Sequence, residues 1–262
     1  MKLELFQIDS FTDVIFKGNP ACVVPLESWL PDDLLLNIAK ENAVSETAFF
    51  IHKGDKIALR WFTPEIEMDL CGHATLATAH CLKMIKGHPG TEFVFETLSG
   101  ELIVRVENGK YFMELPSRMP ITGQLPFEIA QSLNIAPKEV LKSRDYFLVY
   151  ENETEIRNII INRQFFDRIN LGHGGVIVTA AGDSCDFVSR FFTPQASILE
   201  DPVTGSSHCS LIPFWAERLG KKQLHARQVS QRTGELFCEE KGDRVIIAGQ
   251  AKTYAVGYLV TE

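Results

Sequence analysis

Apolar and polar positions alternate along Met1–Asp9, with Leu3 and Leu5 set between Lys2, Glu4 and later Gln7, the period of a half-buried strand. Short β-rich runs follow at 21–26, 47–51, 57–63 and 102–106, and again at 175–180, 186–193 and 244–249. The period changes at 31–42, where Leu34, Leu35, Ile38 and Ala39 recur at helical spacing behind Asp32 and Asp33. This predicts an amphipathic surface helix. A shorter helix is predicted at 126–133.

Two further helical stretches lack a polar face. The run from His73 to Ile85 carries one lysine or arginine, Lys83, and the run from Ser206 to Ala216 carries no charge. A helix that is apolar all round belongs inside a structure. Each stretch ends on glycine, Gly87 and Gly220, as a helix C-terminus favours. Pro213 inside the second removes a backbone donor and predicts a kink.

These two stretches belong to an internal repeat. Arg60-Trp-Phe-Thr-Pro64 returns as Arg190-Phe-Phe-Thr-Pro194 at an offset of 130 residues. The glycine-bounded helices return at an offset of 133, and Ser99-Gly-Glu-Leu102 returns as Thr233-Gly-Glu-Leu236 at 134. Three matches in one order with a drift of four residues indicate a duplication. The expected fold is α/β of the α+β type. Two pseudo-symmetric domains each wrap a curved mixed sheet around a buried central helix. The boundaries fall at 1–117, joined by a C-terminal strand at 250–262, and at 118–249.

Composition narrows the partners. Among 262 residues, 34 acidic and 26 basic side chains give a net charge of −8, and the longest basic run is Lys221-Lys222. That argues against nucleic acid and anionic membranes, which need basic patches. No apolar run approaches a membrane span, and the N-terminus lacks the apolar core of a signal peptide, so the expectation is a cytoplasmic protein. Six cysteines in such a chain are expected to be reduced. The His80-Cys81 and His208-Cys209 pairs point in different directions on a helix. His73 and His80 lie about 10 Å apart, so no metal and no cofactor are expected.

Candidate chemistry gathers where the buried helices begin, at Cys71-Gly72-His73 and at Asp201-Pro-Val-Thr204-Gly205-Ser206. Free N–H groups and the positive end of the dipole make such starts anion sites, and a carboxylate is the natural occupant. If the halves face each other about a pseudo-two-fold axis, both starts address one small anionic metabolite. Asp201, Thr204 and Ser206 could equally be ordinary helix caps. Cys71 stands where the second copy has Asp201. Glu46 lies at the mouth of a strongly apolar β run, and a carboxyl in an apolar setting has the raised pKa that a general acid/base needs.

Several segments together carry a family resemblance: Phe6-Gln-Ile-Asp-Ser-Phe11 followed by Gly18-Asn19-Pro-Ala21, Ser45-Glu46-Thr-Ala-Phe49, Gly72-His73-Ala-Thr75, and Glu200-Asp201-Pro-Val-Thr-Gly-Ser206. Almost from end to end, the chain resembles the PhzF-like (phenazine biosynthesis) isomerases, which have the diaminopimelate-epimerase fold. The resemblance implies a homodimer of two-domain chains and a site in the cleft between domains. It places the acid/base glutamate on Glu46 and supporting polar residues on His73, Asp201 and Ser206. Asn19, Cys71, Gly72, Thr204 and Gly205 complete the expected binding residues. Related racemases of this fold oppose two cysteines, whereas here the second such position is Asp201 and only Cys71 is a thiol. The expected activity is a cofactor-independent proton shift at carbon with Glu46 as base. Three alternatives remain: an epimerase pairing Cys71 with Glu46, a catalytically silent binding protein and, ranked last because neither GxxxxGKS/T nor GxGxxG follows a strand, a metal- or nucleotide-dependent enzyme.

Overall fold

The computed structural model describes residues 1–261, which form two compact units. The first comprises Met1–Leu115 together with the chain from Ile247 onward, and the second comprises Pro116–Ile246.

The first unit holds β1 (Lys2–Ser10), β2 (Asn19–Pro25), α1 (Asp32–Asn42), β3 (Glu46–Lys53), β4 (Lys56–Phe62) and β5 (Glu67–Met68). These are followed by α2 (Gly72–His80), β6 (Glu92–Thr97), β7 (Gly100–Glu107) and β8 (Lys110–Pro116). The second unit holds β9 (Ile121–Thr122), α3 (Phe127–Ser132), β10 (Glu139–Lys142), β11 (Tyr146–Val149), α4 (Glu153–Arg157), α5 (Arg163–Phe166) and β12 (Val176–Ala181). It continues through β13 (Phe187–Phe192), β14 (Glu200–Asp201), α6 (His208–Leu219), β15 (Gln223–Gln228) and β16 (Gly234–Lys241). Then β17 (Arg244–Gly249) leads back to the first unit, where β18 (Ala251–Val260) lies.

The pairings repeat from one unit to the other. β2 and β3 run parallel, β3 and β4 antiparallel, and β4 and β6 parallel across the α2 crossover. In the second unit β11 and β12 run parallel, β12 and β13 antiparallel, and β13 and β15 parallel across α6. A parallel pair needs such a crossover connection, and each buried helix supplies one. Every residue of α2 is buried, as is α6 from His208 to Ala216, which accounts for the missing charges. β18 joins the first sheet by pairing antiparallel with β1, from Lys2↔Val260 to Ser10↔Ala251.

The repeated arginine does the same work in each unit. Arg60 on β4 forms a two-point ion pair with Glu67 on β5, at 2.7 and 2.6 Å. Arg190 on β13 does so with Glu200 on β14, at 2.7 and 2.9 Å. In each case the pair ties down the short return strand that leads into the buried helix. Arg190 also donates Nη1 to the carbonyls of Ile156 and Ile159. Charge-assisted bonds of this kind are worth about 1.5–3 kcal/mol when lost. Arg190→Ala is therefore expected to lower stability by about 2–3 kcal/mol, read as a lower urea midpoint; an unchanged midpoint would contradict the assignment.

Pro213 sits within α6, which runs through it to Leu219. Without an N–H it leaves the carbonyl of Cys209, four residues earlier, without its helical donor. The backbone N–H of Arg118 takes that carbonyl at 2.8 Å. The proline thus opens an acceptor in a buried helix, and the chain entering the second unit fills it. The first buried helix ends differently from the expected plain helix. After His80 it widens to π-type turns over Cys81–Ile85 before Gly87, at φ +68°. Among the described residues, no helix is long and apolar enough to cross a membrane.

Candidate functional site

Glu46, Cys71, Gly72, His73 and Asn19 come together in the first unit. Glu46 is the first residue of β3, registered against Ala21 of β2, and its side chain is 14% exposed. Asn19 opens β2 and His73 is the second residue of α2, and both are buried. Cys71 caps the helix start in extended conformation at φ −139°, with no capping bond from its side chain.

His73 is gripped on three sides. Ser10 donates its hydroxyl to the His73 carbonyl at 2.8 Å. The Asn19 side-chain amide lies 3.1 Å from Nδ1, and the Cys71 sulfur lies 3.5 Å from the same nitrogen. On the far side of the ring, Nε2 approaches Glu46 Oε2 to 3.1 Å. That approach is an ion-pair contact, not a well-directed hydrogen bond, since neither atom has an aligned partner.

Burial works against a proton on His73, but Cys71 and Glu46 outweigh it and hold the imidazole pKa well above its usual value. Burial, and then the charge of Glu46, push the Cys71 thiol up to about 11. Cys71 is therefore a neutral thiol near neutrality, and the charge drawing a proton onto His73 is that of Glu46. The amides of Gly72 and His73, at the first positions of α2, have no intrahelical acceptors. The cluster thus holds a carboxylate, an imidazole, a thiol and a helix start.

The second unit contains Asp201, Thr204, Gly205 and Ser206 at the turn before α6. Asp201 Oδ2 accepts from the Thr204 hydroxyl at 2.5 Å. Gln228, fully buried, braces the turn: its Oε1 accepts from the Thr204 amide at 2.8 Å and its Nε2 donates to the Asp201 carbonyl at 2.7 Å. Arg144 chelates Asp145 and donates Nη2 to Ser206 Oγ at 3.0 Å, setting a guanidinium beside the helix start. Neither Arg144 nor Gln228 was legible in the sequence; both lie far along the chain from the turn and outside any motif. The helix itself begins at His208, later than the repeat suggested, because Gly205–Ser207 are used in a tight turn.

His208 donates Nδ1–H to the Thr204 carbonyl at 2.8 Å, which leaves Nε2 buried without a partner. Burial lowers its pKa to about 4. Between that value and about 6.5 the unfolded chain binds the extra proton, so this group removes stability as pH falls through the window. His208→Asn keeps a donor for the carbonyl and should flatten the acid limb of a stability–pH curve by about one proton. An unaltered slope in denaturant titrations from pH 7 to 4 would refute it.

Comparison with known proteins starts from a family profile. The profile described as "Phenazine biosynthesis-like protein" matches residues 8–257. The chain belongs to the phenazine biosynthesis-like family. A family relative in Pseudomonas aeruginosa, named an uncharacterized isomerase, is 46% identical over 99% of both chains. One from Halalkalibacterium halodurans with the same kind of name is 39% identical over 97% of both. A crystal structure of a PhzF family protein from Enterococcus faecalis superposes with a TM-score of 0.94 at 44% identity, covering 100% of each chain. A probable proline racemase from Agrobacterium radiobacter, at TM-score 0.68 and 9% identity, shares the fold. The α/β architecture of the phenazine biosynthesis-like family is thus the one that the repeat and the buried helices announced.

Proposed function

We propose that the protein is a cofactor-independent isomerase that moves a proton on carbon of a small carboxylate-bearing metabolite, with Glu46 as the acid/base. The observation that carries this reading is the Glu46–His73 pair, 3.1 Å apart, at the start of a buried helix. A shielded carboxylate beside an imidazole can accept a proton from carbon and return it to another carbon on the same face. The helix start supports the rest. A substrate carboxylate at the amides of Gly72 and His73 would make the neighbouring C–H acidic, and the same amides would stabilise the enolate-like charge. His73, whose proton is favoured by Glu46, would hold the substrate or supply a second transferable proton. Cys71, a neutral thiol here, would act as a shape-setting wall. Isomerase names among the family's relatives agree with the reaction class.

The test is proton exchange. The purified protein is incubated in D₂O with a panel of small unsaturated amino and hydroxy carboxylates and followed by NMR. Incorporation of deuterium at carbon with a double-bond shift is expected for one member. Washout at a single stereocentre without a shift, abolished by Cys71→Ala, would replace this reading with the Cys71–Glu46 epimerase. No exchange with any member would favour a silent binding protein.

A further inference from the structure

We propose that Asn19 is a positioning residue for His73: its side-chain amide holds the imidazole with a bare Nδ1 and a hydrogen on Nε2, turned toward Glu46. The groups at the two edges of the ring leave one arrangement. On one edge Glu46 Oε2 lies 3.1 Å from Nε2. An ionised carboxylate has only lone pairs to offer, so the nitrogen facing it carries hydrogen. On the opposite edge the Asn19 amide nitrogen lies 3.1 Å from Nδ1 and the Cys71 sulfur 3.5 Å from it. An amide nitrogen only donates, and burial keeps Cys71 a protonated thiol near neutrality, so both neighbours present hydrogen to Nδ1.

The local fold suits Asn19 to this work. It pairs with Ser10 in the last rung of the β1–β2 ladder, and Ser10 donates to the His73 carbonyl at 2.8 Å. One rung thus grips His73 twice, by its backbone and by its ring. Pro20 follows directly and confines Asn19 to extended backbone. Asn19 and His73 are both buried, which shields their contact from water. The uncharged amide decides the outcome. A carboxylate in its place would accept from Nδ1 and favour a second ring proton. A side chain without an amide would let the ring turn or carry its hydrogen on Nδ1. In the proton shift proposed above, on which this consequence rests, His73 acts through Nε2–H, holding Glu46 or a substrate oxygen on that edge.

The test is nitrogen NMR of the histidine rings in the intact, labelled protein, with His73→Gln to assign the signals. It needs no substrate, so failure of the isomerase reading leaves it intact. Above the pH at which the ring titrates, wild-type His73 should show a hydrogen-free Nδ1 and a hydrogen-bearing Nε2. Asn19→Asp should keep hydrogen on both nitrogens to a pH higher by about 1–3, as an added carboxylate does for a neighbouring base. Asn19→Ala should bring up the Nδ1–H form. A wild-type ring with its hydrogen on Nδ1 would overturn the proposal. So would an Asn19→Asp ring that titrates where the wild type does, or an Asn19→Ala ring that keeps the wild-type form. Should both variants fail to fold, the wild-type spectrum alone decides. On a substrate that turns over, Asn19→Ala should lower kcat by about tenfold or more and leave KM nearly unchanged. An unchanged kcat beside an altered ring would remove Asn19 from the chemistry.

Discussion

Glu46→Gln is expected to leave a folded protein in which deuterium uptake into substrate falls by about 10²–10⁴-fold, the usual contribution of a positioned general base. The fold should survive because the side chain is nearly isosteric and the β2–β3 register uses the backbone of Glu46. What disappears is, among the described residues, the one carboxylate within ion-pair reach of His73. The substitution has a second signature that needs no substrate. Burial already opposes a proton on His73, and Glu46 helps to keep it there. In Glu46→Gln the imidazole should therefore lose its proton at lower pH than in the wild-type chain, as an NMR titration of its ring would show. Unchanged exchange would remove Glu46 as base, and an unchanged titration would remove it as the partner of His73.

Gly18→Ala should be the most damaging small substitution near the site. Gly18 lies at φ +65°, and a Cβ there would fall 2.1 Å from the Ser10 carbonyl oxygen and 2.7 Å from Thr12 Cγ2. The first neighbour is backbone paired within β1, so it cannot swing aside. Strain at the dihedral and overpacking cost about 1–3 kcal/mol each, so a loss of about 3 kcal/mol or more is expected in denaturant midpoints. The damage should also reach the chemistry. Ser10 anchors the His73 carbonyl and Asn19 holds the His73 ring, and Gly18 sits between the two strand ends that carry them. Wild-type stability in Gly18→Ala would show that the 10–18 loop yields more readily than these distances allow.

Much of the architecture was readable because the duplicated segments repeat a physical job. Arg60 and Arg190 pin equivalent return strands, and the uncharged runs after them are uncharged because sheet surrounds them. Gly220 ends its helix at φ +65°, as expected of a terminal glycine. Contacts between residues distant in sequence were not readable. Asn19 meets His73 from 54 positions away and Gln228 meets Thr204 from 24. From the sequence Pro213 predicts only a kink; its structural complement, the amide of Arg118 bonded to the Cys209 carbonyl, lies 95 positions away. Periodicity and composition report which face of an element is buried, and they carry no information about which distant polar group meets it there.

The placement of β18 has a consequence for biosynthesis. Its partner β1 emerges from the ribosome well before it, and the ladder between them cannot close until β18 has been made. All of the second unit is translated in between, on the order of 10 s at ordinary elongation rates. Throughout that interval the nascent chain carries an unpaired nine-residue strand edge, open to a neighbour on the same polysome. The contiguous second unit can mature on the way out, whereas the unit carrying Glu46 and His73 can finish only once β18 has left the ribosome.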